Sequence, residues 1–153
     1  MIHAQNVKDE VMLAPQAVTA GATATANLDT LDHDCAVVRV AFGAISTDGE
    51  SPIVLKLAES DDTVATNFSD ITACVGGGVG GFTIPARASL QNKIVRFQLD
   101  LRQRKRYVRL TLSPETNDTN DNVTVSAIGQ LSRSRELPAG TSDLGDTAVV
   151  VTG

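Results

Sequence analysis

The chain has 153 residues, a net charge of −5 and 42% hydrophobic residues, with no Trp, one Tyr and four Phe. That length fits one domain with a real core. The acidic balance argues against general nucleic-acid binding, which needs a net basic face, and the shortage of aromatics suits two thin packed sheets better than a deep ligand pocket.

Residues 1–16 read as an N-terminal arm, with VKDEVML able to form one helical turn before Pro15. ATATANLDTL (22–31) alternates Thr and Ala and reads as a strand or an edge. CAVVRVAFGAI (35–45) is the strongest buried strand, and Arg39 is its only charge. The Asp-Gly and Pro of STDGESP (46–52) make a turn. In IVLKLAES (53–60), Ile53, Leu55 and Leu57 should face inward. DDTVATNFSDI (61–71) is a connection with room for a short helix capped by Ser60 or Asp61. VGGGVGG (75–81) reads as a flexible loop.

Seven of the 13 basic residues fall between Lys93 and Arg109, and this stretch reads as a β-hairpin. Val95, Phe97, Leu99 and Leu101 alternate with Arg96, Gln98, Asp100 and Arg102; Val108, Leu110 and Leu112 alternate with Tyr107, Arg109 and Thr111. Period-two alternation means one buried and one wet face, so an acidic chain carries a basic ribbon. SPETNDTNDN (113–122) is a polar loop, and VTVSAIGQL (123–131) is the last core strand, with Val123, Val125 and Ala127 on one side. Residues 132–153 read as a C-terminal arm ending in AVVV (148–151).

Seven or eight short strands, regular turns and almost no helix indicate an all-β fold: a jelly-roll-like β-sandwich over residues 17–131, flanked by extended arms. No run approaches the length of a membrane span, and no secretory signal is visible.

No motif carries catalysis. Gly76 to Gly81 matches G-x-G-x-x-G, but FTIP follows where a dinucleotide site needs a helix. Asp118 to Asn122 resembles the start of a calcium loop, yet Val123 and Gly129 stand where Gly and Glu are required. Asp32, His33, Asp34 and Cys35 are neighbours on an extended chain, so their side chains diverge. Cys35 and Cys74 read as buried small hydrophobes, with a single bridge as the alternative. No catalytic, cofactor or metal residue is assigned. The basic stretch is either a charged edge that blocks aggregation or a docking surface built from Arg102, Arg104, Lys105 and Arg106. A run of three Val (Val149, Val150, Val151) has the composition of a strand added to a neighbour's sheet edge.

The order VVRVAFGAISTDGESPIVLKLAES, SDD…NFSDI, a Gly-rich loop and VRFQLDL…KRYVRLTLSPET resembles the small head decoration (cement) proteins of tailed bacteriophages and related jelly-roll virion proteins. The likeness covers roughly residues 35–131. It implies a non-enzymatic virion protein, made in the host cytoplasm. Such a protein binds the outer surface of an icosahedral head and bridges subunits of the major capsid protein. A jelly roll this short, with apolar tail segments and strand edges to cover, is also expected to pair with itself as a homodimer or homotrimer. The likeness implies no cofactor, no nucleic acid and no membrane. A carbohydrate- or receptor-binding β-sandwich of a phage tail or fibre is the alternative, which the shortage of Trp and Tyr disfavours.

Overall fold

A computed structural model describes residues 7–46, 54–114 and 122–134. It holds eight strands: β1 (Val7–Thr19), β2 (Ala24–Asp29), β3 (His33–Ile45), β4 (Val54–Ser60), β5 (Ser69–Val75), β6 (Ile94–Asp100), β7 (Tyr107–Ser113) and β8 (Asn122–Ser134). One helical turn, α1 (Arg87–Leu90), precedes β6, and a 3-10 turn spans Ala65–Asn67.

The strands form two four-stranded antiparallel sheets, ordered β1-β8-β3-β6 and β2-β7-β4-β5. The pairs β1–β8, β2–β7, β3–β6 and β4–β5 are the rungs of one long hairpin. Rolling that hairpin adds the β3–β8 and β4–β7 ladders and closes a sandwich. This is the jelly-roll arrangement.

The core lies between the sheets. Val38 and Val40 of β3, Leu55 and Leu57 of β4, Val108, Leu110 and Leu112 of β7, and Val123, Val125 and Ala127 of β8 are all buried. Each large aliphatic side chain removed from water contributes about 1.5–3 kcal/mol, and the alternation that selects these residues is visible in β3, β7 and β8. Leu90 of α1 is buried at the sandwich end, and Phe82 meets Phe97 edge-on, with centroids 5.5 Å apart.

Four expectations are corrected. First, the 93–112 stretch is not a hairpin: β6 is the outer strand of one sheet, and β7 lies inside the other. Residues 101–106 form a corner between sheets. Alternation cannot tell a hairpin from such a corner, because both strands turn their apolar sides to the same core in either case. There is therefore no basic ribbon; Arg96 and Arg109 lie on different sheets. Second, residues 7–16 are not an arm with a helical turn but most of β1, paired with β8 from Val7↔Ser132 to Thr19↔Asn122. Two register shifts, between Val11 and Leu13 and between Leu13 and Gln16, let the strand carry Pro15. Third, residues 132–134 are not part of an arm but the end of β8, which runs to Ser134. Fourth, the Gly-rich segment is a closed turn. Gly81 N–H donates to Gly78 O at 3.1 Å, Phe82 N–H to Val75 O at 3.1 Å and Gly77 N–H to Phe82 O at 2.9 Å.

The turn at 46–52, apart from Ser46, and the calcium-like run, apart from Asn122, lie outside the described residues, as do Val149, Val150 and Val151.

Candidate interaction surface

Two surfaces carry polar chemistry: the 101–106 corner and the outer face of the β1-β8-β3-β6 sheet.

At the corner, the four basic residues expected to dock a partner are brought together, and three of them are paired with acids of the same chain. Arg102 donates through Nε to both Asp100 oxygens, at 2.9 and 3.2 Å. Arg104 Nη1 lies 3.4 Å from Glu59 Oε1, and the Lys105 backbone N–H donates to Glu59 Oε2 at 3.3 Å. Arg106 makes a two-point pair with Asp29, and its guanidinium carbon stands 4.8 Å from the centroid of the Tyr107 ring. The Lys105 charge acts on Asp62. Four cations thus stand among Asp29, Glu59, Asp62 and Asp100, and the corner is close to neutral as a unit.

The pairs also explain the shifted carboxylates. Hydrogen bonding from Arg102 holds Asp100 down at about 2, and Arg106 holds Asp29 below its ordinary value. The same pairs raise Arg102 and Arg106. Asp62 is lowered chiefly by the Asn67 side-chain amide, at 2.7 Å, and by the Val64 backbone N–H. Beside that turn, the Arg109 guanidinium lies 3.7 Å from the Phe68 ring centroid and donates to Asn27 Oδ1 at 2.8 Å. Arg109 is therefore a clamp joining β7, β2 and the 61–68 connection.

On the outer sheet face, ladder pairing lines up Val11, Ile128, Arg39 and Arg96 in one row across all four strands. The next row is Asp9, Gln130, Val37 and Gln98. Arg39 and Arg96 are directly opposite, which like charges disfavour. Arg39 Nη2 donates instead to Gln130 Oε1 at 3.0 Å, and Gln130 Nε2 donates to Asp9 Oδ1 at 3.0 Å. This relay ties three strands together and pulls the Arg39 charge toward β8. Ile128 is 44% exposed and Val11 51%. With Asp9, Glu10 and Arg39 they line a shallow hollow of about 270 Å³. Arg39 stood out in the sequence as a lone charge in an apolar strand, but Asp9 and Gln130 gave no signal.

The remaining sequence candidates do not converge. His33 Nδ1 lies 2.8 Å from the Leu31 carbonyl oxygen, and Asp32 takes a left-handed turn at φ 63°. Among the described residues, no group of three or more His, Cys, Asp or Glu gathers to hold a metal. Cys35 on β3 and Cys74 on β5 are both free thiols, in opposite sheets, and burial pushes the Cys74 thiol up. Among the described residues, no helix is long and apolar enough to cross a membrane.

The class defined so far is an antiparallel jelly-roll sandwich. No family profile matches this chain, and no curated protein does. Among solved structures, it is similar to wild-type and variant forms of BuGH86, each in complex with neoagarooctaose. Each match has 14% identity and a TM-score of 0.40 over 82% of this chain. The chain spans 19% of the length of those proteins.

Proposed function

We propose that the chain is a structural virion protein that decorates the outside of an icosahedral phage capsid and bridges neighbouring capsid subunits. One observation carries this reading: the outer face of the β1-β8-β3-β6 sheet holds a contiguous apolar pair, Val11 and Ile128, beside the Asp9–Gln130–Arg39 relay. An apolar centre with ordered polar groups at its rim is the anatomy of a protein interface. The resemblance of KRYVRLTL and its surroundings to head decoration proteins points the same way. Tyr107, the aromatic a sugar platform would use, is half-buried with the Arg106 guanidinium over its ring, which counts against the carbohydrate-binding alternative.

In this reading the corner residues Arg102, Arg104, Lys105 and Arg106 meet the partner at the rim, and their pairing within the chain weakens the steering that a bare basic cluster would supply. The test is sedimentation of the protein with undecorated heads. Co-sedimentation that is lost in Ile128→Asp supports the reading. A protein that stays in the supernatant at every salt concentration defeats it.

A further inference from the structure

We infer that β6 is a self-pairing edge, by which two copies of this chain join their sheets into one continuous antiparallel sheet. The inference does not depend on what the assembled protein decorates.

Among the described residues the sandwich has four edge strands: β1 and β6 in one sheet, β2 and β5 in the other. Edges that must not pair are blunted by bulges, prolines and charges. β1 has two register shifts and Pro15. β5 has a register shift against β4. β2 is six residues long and lies against β1 of the other sheet. β6 has neither a proline nor a bulge, and its two charges, Arg96 and Asp100, are of opposite sign. It pairs with β3 in unbroken register from Ile94↔Ala41 to Asp100↔Cys35.

The backbone of β6 is turned to receive a partner. Leu101 N–H donates to Asp34 O, and Phe42 N–H donates to Lys93 O, both at 2.9 Å. Antiparallel ladders alternate every second residue, so Val95, Phe97 and Leu99 exchange their bonds with β3. The N–H and C=O groups of Ile94, Arg96, Gln98 and Asp100 then point to the open side. The side chains of these four residues are exposed, Ile94 at 61%.

The occupant is identified by charge. Along the open side the order is Arg96, Gln98, Asp100, which is its own complement when reversed. A two-fold axis at Gln98 sets each Arg96 opposite Asp100 of a second copy, and Gln98 opposite Gln98. Each of these pairs consists of residues whose backbone groups face the partner, so each can exchange two hydrogen bonds. Shifting the axis to Phe97 sets Arg96 against Gln98; shifting it to Arg96 sets like charges together, which is unfavourable. Asp100 already accepts four hydrogen bonds from Arg102, so Arg96 of the second copy adds charge attraction across the junction unless it displaces part of that pair. On the inner side the same register brings Phe97 beside Leu99 of the second copy, extending the core across the junction.

The test is the mass of the full-length chain in solution over a micromolar concentration series, by light scattering or sedimentation equilibrium, with thermal melts to verify that each variant folds. The wild type should reach twice its 16.0 kDa. Arg96→Asp and Asp100→Arg should each be monomeric, and the double variant, which restores opposite charges in swapped positions, should dimerise again. Gln98→Pro removes a donor that faces only the second copy; edge strands tolerate proline there, so it should fold and stay monomeric. A wild type that remains at 16.0 kDa throughout the series, a dimer that survives Gln98→Pro, or a double variant that fails to recover the dimer would overturn the inference.

Discussion

Arg106 and Asp29 are 77 residues apart in the chain and meet in a two-point pair, Nε to Oδ1 at 2.9 Å and Nη2 to Oδ2 at 2.7 Å. The Arg106 carbonyl oxygen also accepts from the backbone N–H and the hydroxyl of Thr30, at 2.9 and 2.6 Å. The corner between β6 and β7 is thereby fastened to the end of β2.

Removing either partner should loosen that corner. Asp29→Asn and Arg106→Ala should each lower Tm, and the double variant should lower it no further than the worse single one, because both remove the same pair. The pair is partly exposed, so the loss will be small beside any core truncation. Additive losses in a double-mutant cycle would show that the two side chains act separately.

The hydroxyl of Thr30 is a different case, since Thr30 is buried. Thr30→Val keeps the shape and removes the donor to the Arg106 carbonyl. A cost of about 1–3 kcal/mol is expected, as for a buried group left without its partner. Urea unfolding would measure it, and an unchanged midpoint would show that the Thr30 backbone bond alone holds the corner.

Core truncation sets the upper scale. Leu57 is fully buried and pairs in register with Leu110. Leu57→Ala should cost about 2–5 kcal/mol, and a loss below about 1 kcal/mol would mean that the sheets repack freely around it.

The glycine turn offers a paired comparison. A Cβ at Gly81 would sit 1.9 Å from the Val75 carbonyl oxygen, whereas at Gly77 it would meet nothing within 4 Å, and φ is +73°. Gly77→Ala should cost about 1–2 kcal/mol from the left-handed backbone alone. Gly81→Ala should cost more, because a backbone atom must move. Equal costs would mean that the turn opens in both variants.

Acid should destabilise the protein. Asp29, Asp62 and Asp100 all titrate below the ordinary 3.8 in the folded state, Asp100 at about 2. Depressed folded values mean that these groups add stability while ionised, in full above the unfolded value. That contribution disappears as protons are taken up on the way down. Tm should therefore hold above about pH 5 and fall between about pH 4 and pH 2. Asp29→Asn should make the fall shallower, and a Tm independent of pH across that window would refute the assignment.

The sequence by itself determined which side of β3, β4, β6, β7 and β8 faces the core. In β7 the alternation of Val108, Leu110 and Leu112 with Tyr107, Arg109 and Thr111 is local, and burial follows it residue by residue. The all-β class and the two-layer build follow from the same pattern. β1 was missed because Lys8, Asp9 and Glu10 interrupt its apolar run, and its bulges break the period.

Only the tertiary structure decided which strands are neighbours. β6 and β7 are consecutive, and either a hairpin or a corner buries Phe97 and Leu110 equally well. The choice belongs to β3, which pairs with β6, and to β2 and β4, which flank β7; they compete for the same backbone groups from elsewhere in the chain. The charge of the corner was decided in the same way. Arg102, Arg104 and Arg106 look like an unmatched basic cluster in sequence, yet rolling the sheet brings Glu59 to Arg104 and Asp29 to Arg106. Electrostatic pairing depends on distance in space, and residue order sets that distance only for close neighbours such as Asp100 and Arg102.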